Sequence, residues 1–329
     1  MAHEIDMSNN RANMAFTGSR DKVWHGLGTE LQQDASVDDW IVSAGLDWDV
    51  VPAEVQYTIP GTSANLFIPS IKTMADRKVL YRSDTKDSLA VVGKDFKVVQ
   101  PRQVVEFFRD LVEKNNMKLS TAGSLFGGRK FWALAELGKD FEVVSGDKVT
   151  GHLMLTTAVD GSMKTVGKFV STRVVCNNTL NIAMAEKGTR NVVQVSHRSE
   201  WDPDTVKVEL GLMDGAWLQF IQDVRKLSAT KVTDKKAYNF LSKVVFDKPT
   251  EPLTKVQERK IDNLMDLYKG QGMGADMATG TLWGVVNAIT QQYTHGTGKR
   301  DTSHQFWDSE FSVYGKMKDR AFQQALAMV

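Results

Sequence analysis

The stretch HLMLTTAVDGSMKTVGKFV, residues 152–170, sets two β-rich runs on either side of an Asp160-Gly161 pair. Asp-Gly between such runs is a strong hairpin signal, because both residues tolerate the positive φ that a tight reversing turn demands. Upstream, KLSTAGSLFGGRKFWALAEL (residues 118–137) repeats the pattern around Gly127-Gly128. Earlier still, WDVVPAEVQYTI (48–59), KVLYRS (78–83) and LAVVGKDFKVV (89–99) alternate with a period of two between Pro, Gly, Asp and Ser, which predicts further strands.

Helical signals interrupt and then replace this texture. Ser36 precedes Asp38 and Asp39 ahead of an apolar stripe that ends at Gly45, the pattern of a capped short helix with acids at its positive end. PRQVVEFFRDLVEK (101–114) places Pro101 at a first helical position, where its missing N–H does no harm. After Trp201 the period becomes three to four: Val206, Leu210, Met213, Trp217, Phe220, Val224 and Leu227 predict one long amphipathic helix. Helices follow over 233–246, 254–269 and 279–294, with Thr233, Thr254 and Thr279 as caps, and a terminal helix closes the chain. The expected fold is α+β: a central, mostly antiparallel sheet with packed helices, then an α-helical C-terminal region. The expected organisation is a flexible arm over 1–20, an α+β core over 21–200 and a helical region over 201–329, with the hinge near Ser199–Pro203.

Composition narrows the function. The chain has 42% hydrophobic and 25% charged residues, and 41 bases offset 40 acids, so no global field attracts a polyanion. The asymmetry is local. Residues 161–198 hold Lys164, Lys168, Arg173, Lys187, Arg190 and Arg198 against Glu186 alone. No run approaches the roughly 18 apolar residues of a membrane span, and the first residues lack a signal-peptide core, which places the protein in the cytoplasm without membrane contact.

A single cysteine, Cys176, excludes an internal disulfide, and the six histidines show no metal-ligand spacing. No metal and no cofactor are expected. WHGLGTEL (24–31) and GQGMGADMATGTLW (270–283) lack the phosphate-loop lysine, and no hydrolase, zinc-protease or kinase motif is present. No enzymatic activity is expected. In FVSTRVVCNNTLNIAM (169–184), Cys176 reads as a core residue at a strand end, though it would be a candidate nucleophile if a helix began beside it. Arg173, with Asn177 and Asn178 at that expected helix start, reads as an anion site. Basic residues interleave with rings in FGGRKFW (126–132) and KTVGKFVSTR (164–173), the mixture a sequence-tolerant single-strand site uses, with cations for phosphates and rings for bases. The candidate contacts are Arg129, Lys130, Lys164, Lys168 and Arg173 for phosphates, Trp132 and Phe169 for stacking, and Asn177 and Asn178 beside them.

Three elements, VWHGLGT (23–29), DGSMKTVGKFVSTRVVCNNTLNIAM (160–184) and GTLWGVVNAITQQYTHG (280–296), resemble in that order the phage- and plasmid-encoded family known as domain of unknown function nine-three-two. The resemblance spans about residues 20–296. It implies a genomic setting among replication and recombination genes and supplies no catalytic residues. At the level of fold alone, the pattern is similar to phage single-strand annealing proteins, which implies a ring or filament. The expected function is binding of single-stranded DNA by a homo-oligomer, as an annealing, replication or recombination accessory protein with a further protein partner. The alternative is a phage interaction protein that modulates a host or defence protein through its C-terminal helices.

Overall fold

A computed structural model describes residues 4–18, 27–60, 69–115, 117–173, 178–181, 192–210, 213–246, 249, 252–295 and 313–329. Its strands are β1 (Met14–Thr17), β2 (Thr29–Leu31), β3 (Val50–Ile59), β4 (Ser70–Arg82), β5 (Ser88–Gly93), β6 (Lys118–Leu125), β7 (Lys130–Glu142), β8 (Lys148–Ala158), β9 (Thr165–Arg173), β10 (Asn178–Asn181) and β11 (Val192–Val195). Its α-helices are α1 (Val37–Ser43), α2 (Pro101–Glu106), α3 (Arg109–Asn115), α4 (Pro203–Leu210), α5 (Met213–Ala229), α6 (Asp234–Phe246), α7 (Lys255–Asp266), α8 (Leu282–His295) and α9 (Val313–Leu326). The α+β class with helices at the C-terminus holds.

The large sheet runs β10-β9-β8-β7-β6-β1-β2, with β11 also pairing β9. Every pair is antiparallel except β1 with β2. Both predicted turns form. Gly127 and Gly128 reverse the chain between β6 and β7 with φ of +67° and +86°, and Gly161 does so between β8 and β9 at +75°. A smaller sheet, β3-β4-β5, has its root in the main core through Val50, Leu80, Leu89 and Val92.

Register assigns the two faces of the large sheet. Leu153 lies opposite Phe169 and Leu155 opposite Gly167, so Gly151, Leu153, Leu155, Gly167, Phe169 and Ser171 share one face. Helices α4 and α5 pack there. A Cβ on Gly151 would lie 2.9 Å from Trp217 and from Leu137, and one on Gly167 would lie 3.2 Å from Leu210. The small residues are therefore seats for the helices. Gly151→Ala is expected to lose about 1–3 kcal/mol, since a close-packed interface has no room for a methyl group; a denaturant midpoint measures it. The opposite face carries His152, Met154, Thr156 and Lys168, all buried, and a satellite cluster of Ile5, Met14, Phe16, Leu125 and Trp132.

Several expectations are corrected. The helix foreseen from Asn177 onward is, over residues 178–181, strand β10, with Asn178 opposite Arg173 and Asn181 opposite Val170. The Asn-Asn-Thr cap signature yields to the ladder that β9 offers. The single long helix after Trp201 is two, α4 and α5, with residues 211–212 outside the described residues. The helix over 101–114 divides into α2 and α3 at the buried pair Phe107-Phe108. Where a loose arm was expected over 1–20, Met14–Thr17 is an inner strand between β2 and β6, and Ile5 bridges to Leu125.

Capping agrees with the reading of the helices. Ser36 and Asp39 form a reciprocal capping box, as do Thr254 and Gln257, and Pro101 opens α2. Helix α8 starts on Thr281, whose Oγ1 accepts from Gly284 N at 3.1 Å, and not on Thr279. Thr279 is occupied, donating to Tyr268 O and Ala275 O. Among the described residues, no helix is long and apolar enough to cross a membrane.

Candidate functional site

Among the described residues, the expected contacts do not form one surface. Lys168 is 3% exposed and Phe169 4%, and they point to opposite faces of β9. Phe169 belongs to the main core beneath the helices, so it offers no ring to a base. Trp132, 5% exposed, is closed into the satellite cluster, where its Nε1 donates to Thr121 Oγ1 at 3.2 Å. Lys168 cannot reach an external phosphate from its position. The alternating pattern placed Lys168 opposite Phe169 correctly; what failed was the assumption that the polar face of the hairpin is wet.

Arg129 remains exposed, with Nε donating to Phe126 O at 2.8 Å, and it borders a small depression beside Glu4, Asp6 and Phe126. Lys130 is half-buried, its ammonium 4.8 Å from the centre of the Phe126 ring. Arg173 ends β9 and Asn178 opens β10. Their side chains, and residues 174–177 with Cys176 and Asn177, lie outside the described residues. Trp24 and His25 of the WHGLG element lie outside them as well.

Among the described residues, Lys164 is the expected contact that stands on a large concavity. A cleft of about 1010 Å³ opens where the small sheet meets the β8–β9 turn and the loop after β11. Arg77 reaches it from β4, Lys94 from the turn after β5, Lys164 from the hairpin turn and Arg198 from the loop. All four are exposed. Asp76 and Asp95 are the acids on its wall, so the lining keeps an excess of two positive charges. Arg77 sits 3.7 Å from Asp76, whereas Lys94, Lys164 and Arg198 make no ion pair among the described residues. A concave wall of low polarisability concentrates such a field.

His197 holds the walls together. Its Nδ1 is 2.9 Å from Lys97 O and its Nε2 is 3.1 Å from Met163 O, so one buried ring touches both the segment after β5 and the hairpin turn. The backbone adds Lys97 N donating to His197 O at 2.6 Å and Lys94 N donating to Asp76 O at 3.0 Å. Phe96 stacks on the imidazole with centroids 4.3 Å apart and planes 14° from parallel. Lys78 Nζ donates to Phe96 O at 2.7 Å. Lys97, whose ammonium is raised by its bond to Glu200 at 2.5 Å, straps the rim from outside. The deeper part of the hairpin is fixed by the paired hydroxyls of Thr157 and Thr165 at 2.8 Å.

Arg77, Lys94 and Phe96 were not singled out from sequence, because they fall outside the basic run, and His197, which lies within it, carries no formal charge there. The available signal was the hairpin turn itself. Any loop bonded to that turn shares its surroundings, and Arg198 already counted in the local excess.

Such an arrangement offers cations and the hydroxyls of Ser162 and Ser196 to an anionic ligand. Among the described residues, it has no group of three or more His, Cys, Asp or Glu side chains able to hold a metal ion. No curated protein and no solved structure matches the chain. A family model described as "Domain of unknown function (DUF932)" matches residues 88–313, from β5 to the start of α9, and so takes in the hairpin and the loop after β11 but not the WHGLG element. That match covers well over half of the sequence, and the chain belongs to this family of unknown function.

Proposed function

We propose that the chain binds single-stranded DNA in the cleft between its two sheets, as an accessory protein of DNA metabolism that does not hydrolyse nucleotides. The observation that carries the reading is the convergence of Arg77, Lys94, Lys164 and Arg198 on one concave surface from four separate segments. Cations brought together from distant points in sequence, against a chain charge of only +1, oppose the ordinary tendency of like charges to spread out. A duplex presents a charge about every 1.7 Å along its axis and favours an extended basic face. This chain has a local one, which suits a short single-stranded segment. Phe96 supplies an aromatic edge at the wall, and Ser162 and Ser196 supply hydroxyls.

Binding of a short labelled oligonucleotide is expected at low salt and should weaken steeply as salt rises. Each phosphate contact contributes about 0.7 to the slope of log K against log salt for a single strand. The triple variant Lys94→Ala, Lys164→Ala, Arg198→Ala should therefore lower the slope by about 2. Absence of binding at low salt, or an unchanged slope in the triple variant, would sink the proposal.

A further inference from the structure

The small sheet is anchored at one end and bare at the other. Val50 and Leu80 at its root are buried, whereas Tyr57 is 50% and Ile71 66% exposed toward the far end of the β3–β4 ribbon. Over residues 56–59 and 70–73 this ribbon is two strands wide, because β5 reaches β4 only at Arg77–Tyr81. A two-stranded ribbon is marginal in water without a partner. Apolar groups lie on both of its faces: Tyr57 is opposite Lys72 on one, and Thr58 is opposite Ile71 on the other.

Its outer edge is also open. Among the described residues, β3 pairs with β4 alone, so one row of its N–H and C=O groups faces outward. Natural proteins guard such edges with lysine, proline or bulges. Here Pro52 guards the root, and a register shift after Glu54 separates it from the far part. From Val55 to Ile59, β3 carries no charge and no proline.

We infer that β3 pairs edge to edge, antiparallel, with β3 of a second copy of this chain, joining the two small sheets into one. Charge selects this occupant. Residues 55–60 and 69–75 contain one charged side chain, Lys72, in a chain where a quarter of residues are charged. Depletion of charge together with Tyr, Ile and Met is the composition of an interface core. A two-fold axis sets residue i of one strand against residue j of the other and j against i, so a charge at the axis meets its own copy and one elsewhere in the seam enters it twice, which penalises charge near the axis. Lys72 sits on β4, so it and its copy are three strand spacings apart, about 14 Å, beyond the screening length at physiological salt. One lysine is too few for a polyanion or an anionic lipid surface. The pairing goes beyond nucleic-acid binding and does not depend on it.

Sedimentation of nuclease-treated full-length protein tests the pairing. The wild type is expected to sediment as a dimer or a higher even assembly at micromolar concentration. Tyr57→Glu with Ile59→Glu should weaken self-association at least tenfold, with the circular dichroism spectrum unchanged. In a Cys176→Ser background, single cysteines at Gln56, Tyr57 and Thr58 should give a disulfide-linked dimer for at least one of the three under mild oxidation. A cysteine at Val91, exposed on β5, should not. A monomeric wild type at high micromolar concentration, an unchanged assembly in the glutamate variant, or equal cross-linking at Val91 overturns the inference.

Discussion

Arg82→Met is expected to destabilise the fold by about 3–5 kcal/mol, because it strands a buried carboxylate. Arg82 and Asp6 both have side chains 1% exposed, with Nη1 2.5 Å from Asp6 Oδ2. Burial alone would raise the Asp6 carboxyl, but hydrogen bonds from Ser8, Arg82 and Asn13 outweigh it and hold the group below its ordinary value. Asp84 takes the rest of the guanidinium, at 2.9 Å from Nε and 2.8 Å from Nη2, and Trp48 lies under it with its ring centre 4.0 Å away. Asn13 Nδ2 and Ser124 Oγ complete the shell of Asp6 at 2.8 and 3.2 Å.

The prediction separates charge from packing. Methionine fills much of the same volume, so the loss should come mainly from Asp6, and adding Asp6→Asn should recover part of it. A urea titration of the single and double variants gives the coupling. A loss below about 1 kcal/mol for Arg82→Met would show that water reaches Asp6 and that the pair is not effectively buried.

Acid should weaken the fold before any carboxylate titrates. His152, in β8 between Glu136 and Val170, is driven by burial down to about 4 from the ordinary 6.5. The folded chain therefore keeps this ring neutral where the unfolded chain protonates it. Stability contributed by the neutral ring is present in full above pH 6.5 and is lost as pH falls from 6.5 to 4, in all on the order of 3 kcal/mol. Below about pH 4 a second loss begins, from carboxylates held under their ordinary values, such as Asp6 and Asp84. Folding free energies measured from pH 7 to 4.5 should thus decline in the wild type. The decline should flatten in His152→Gln. An equal slope in both would mean that the ring is hydrated.

Much of the fold is legible locally. The turns at Gly127-Gly128 and Asp160-Gly161, the caps at Ser36 and Thr254 and the proline at the head of α2 all act over four or five residues. What cannot be read locally is what lies on top. The period of β9 fixes that Lys168 and Phe169 face opposite ways, yet not that both faces are covered. The segment Ile5–Thr17, rich in Asn and Met, looks loose until Arg82, 76 positions from Asp6, ties it down. The helix expected at Asn178 loses to β9 for the same reason, since a ladder partner is invisible to a capping motif. The cleft is legible to the same extent: Lys164, which borders a readable turn, lines it, whereas Arg77, Lys94, Phe96 and His197 are brought there by tertiary bonds alone.

The bonds around His197 bear on how fast a ligand can enter. The His197 ring lies against main-chain carbonyls of two segments, one of which its single N–H can bond, the Lys97 amide bonds its carbonyl, and the hairpin beneath is locked by two threonine hydroxyls. The cleft proposed to hold DNA is thus preorganised. Nothing large has to be ordered when an anion arrives except the lysine and arginine side chains, at about 0.5–1.5 kcal/mol for each one immobilised. Association should then be governed by diffusion in the field of those cations, so ionic strength should act chiefly on the on-rate, while the off-rate reports the contacts made inside.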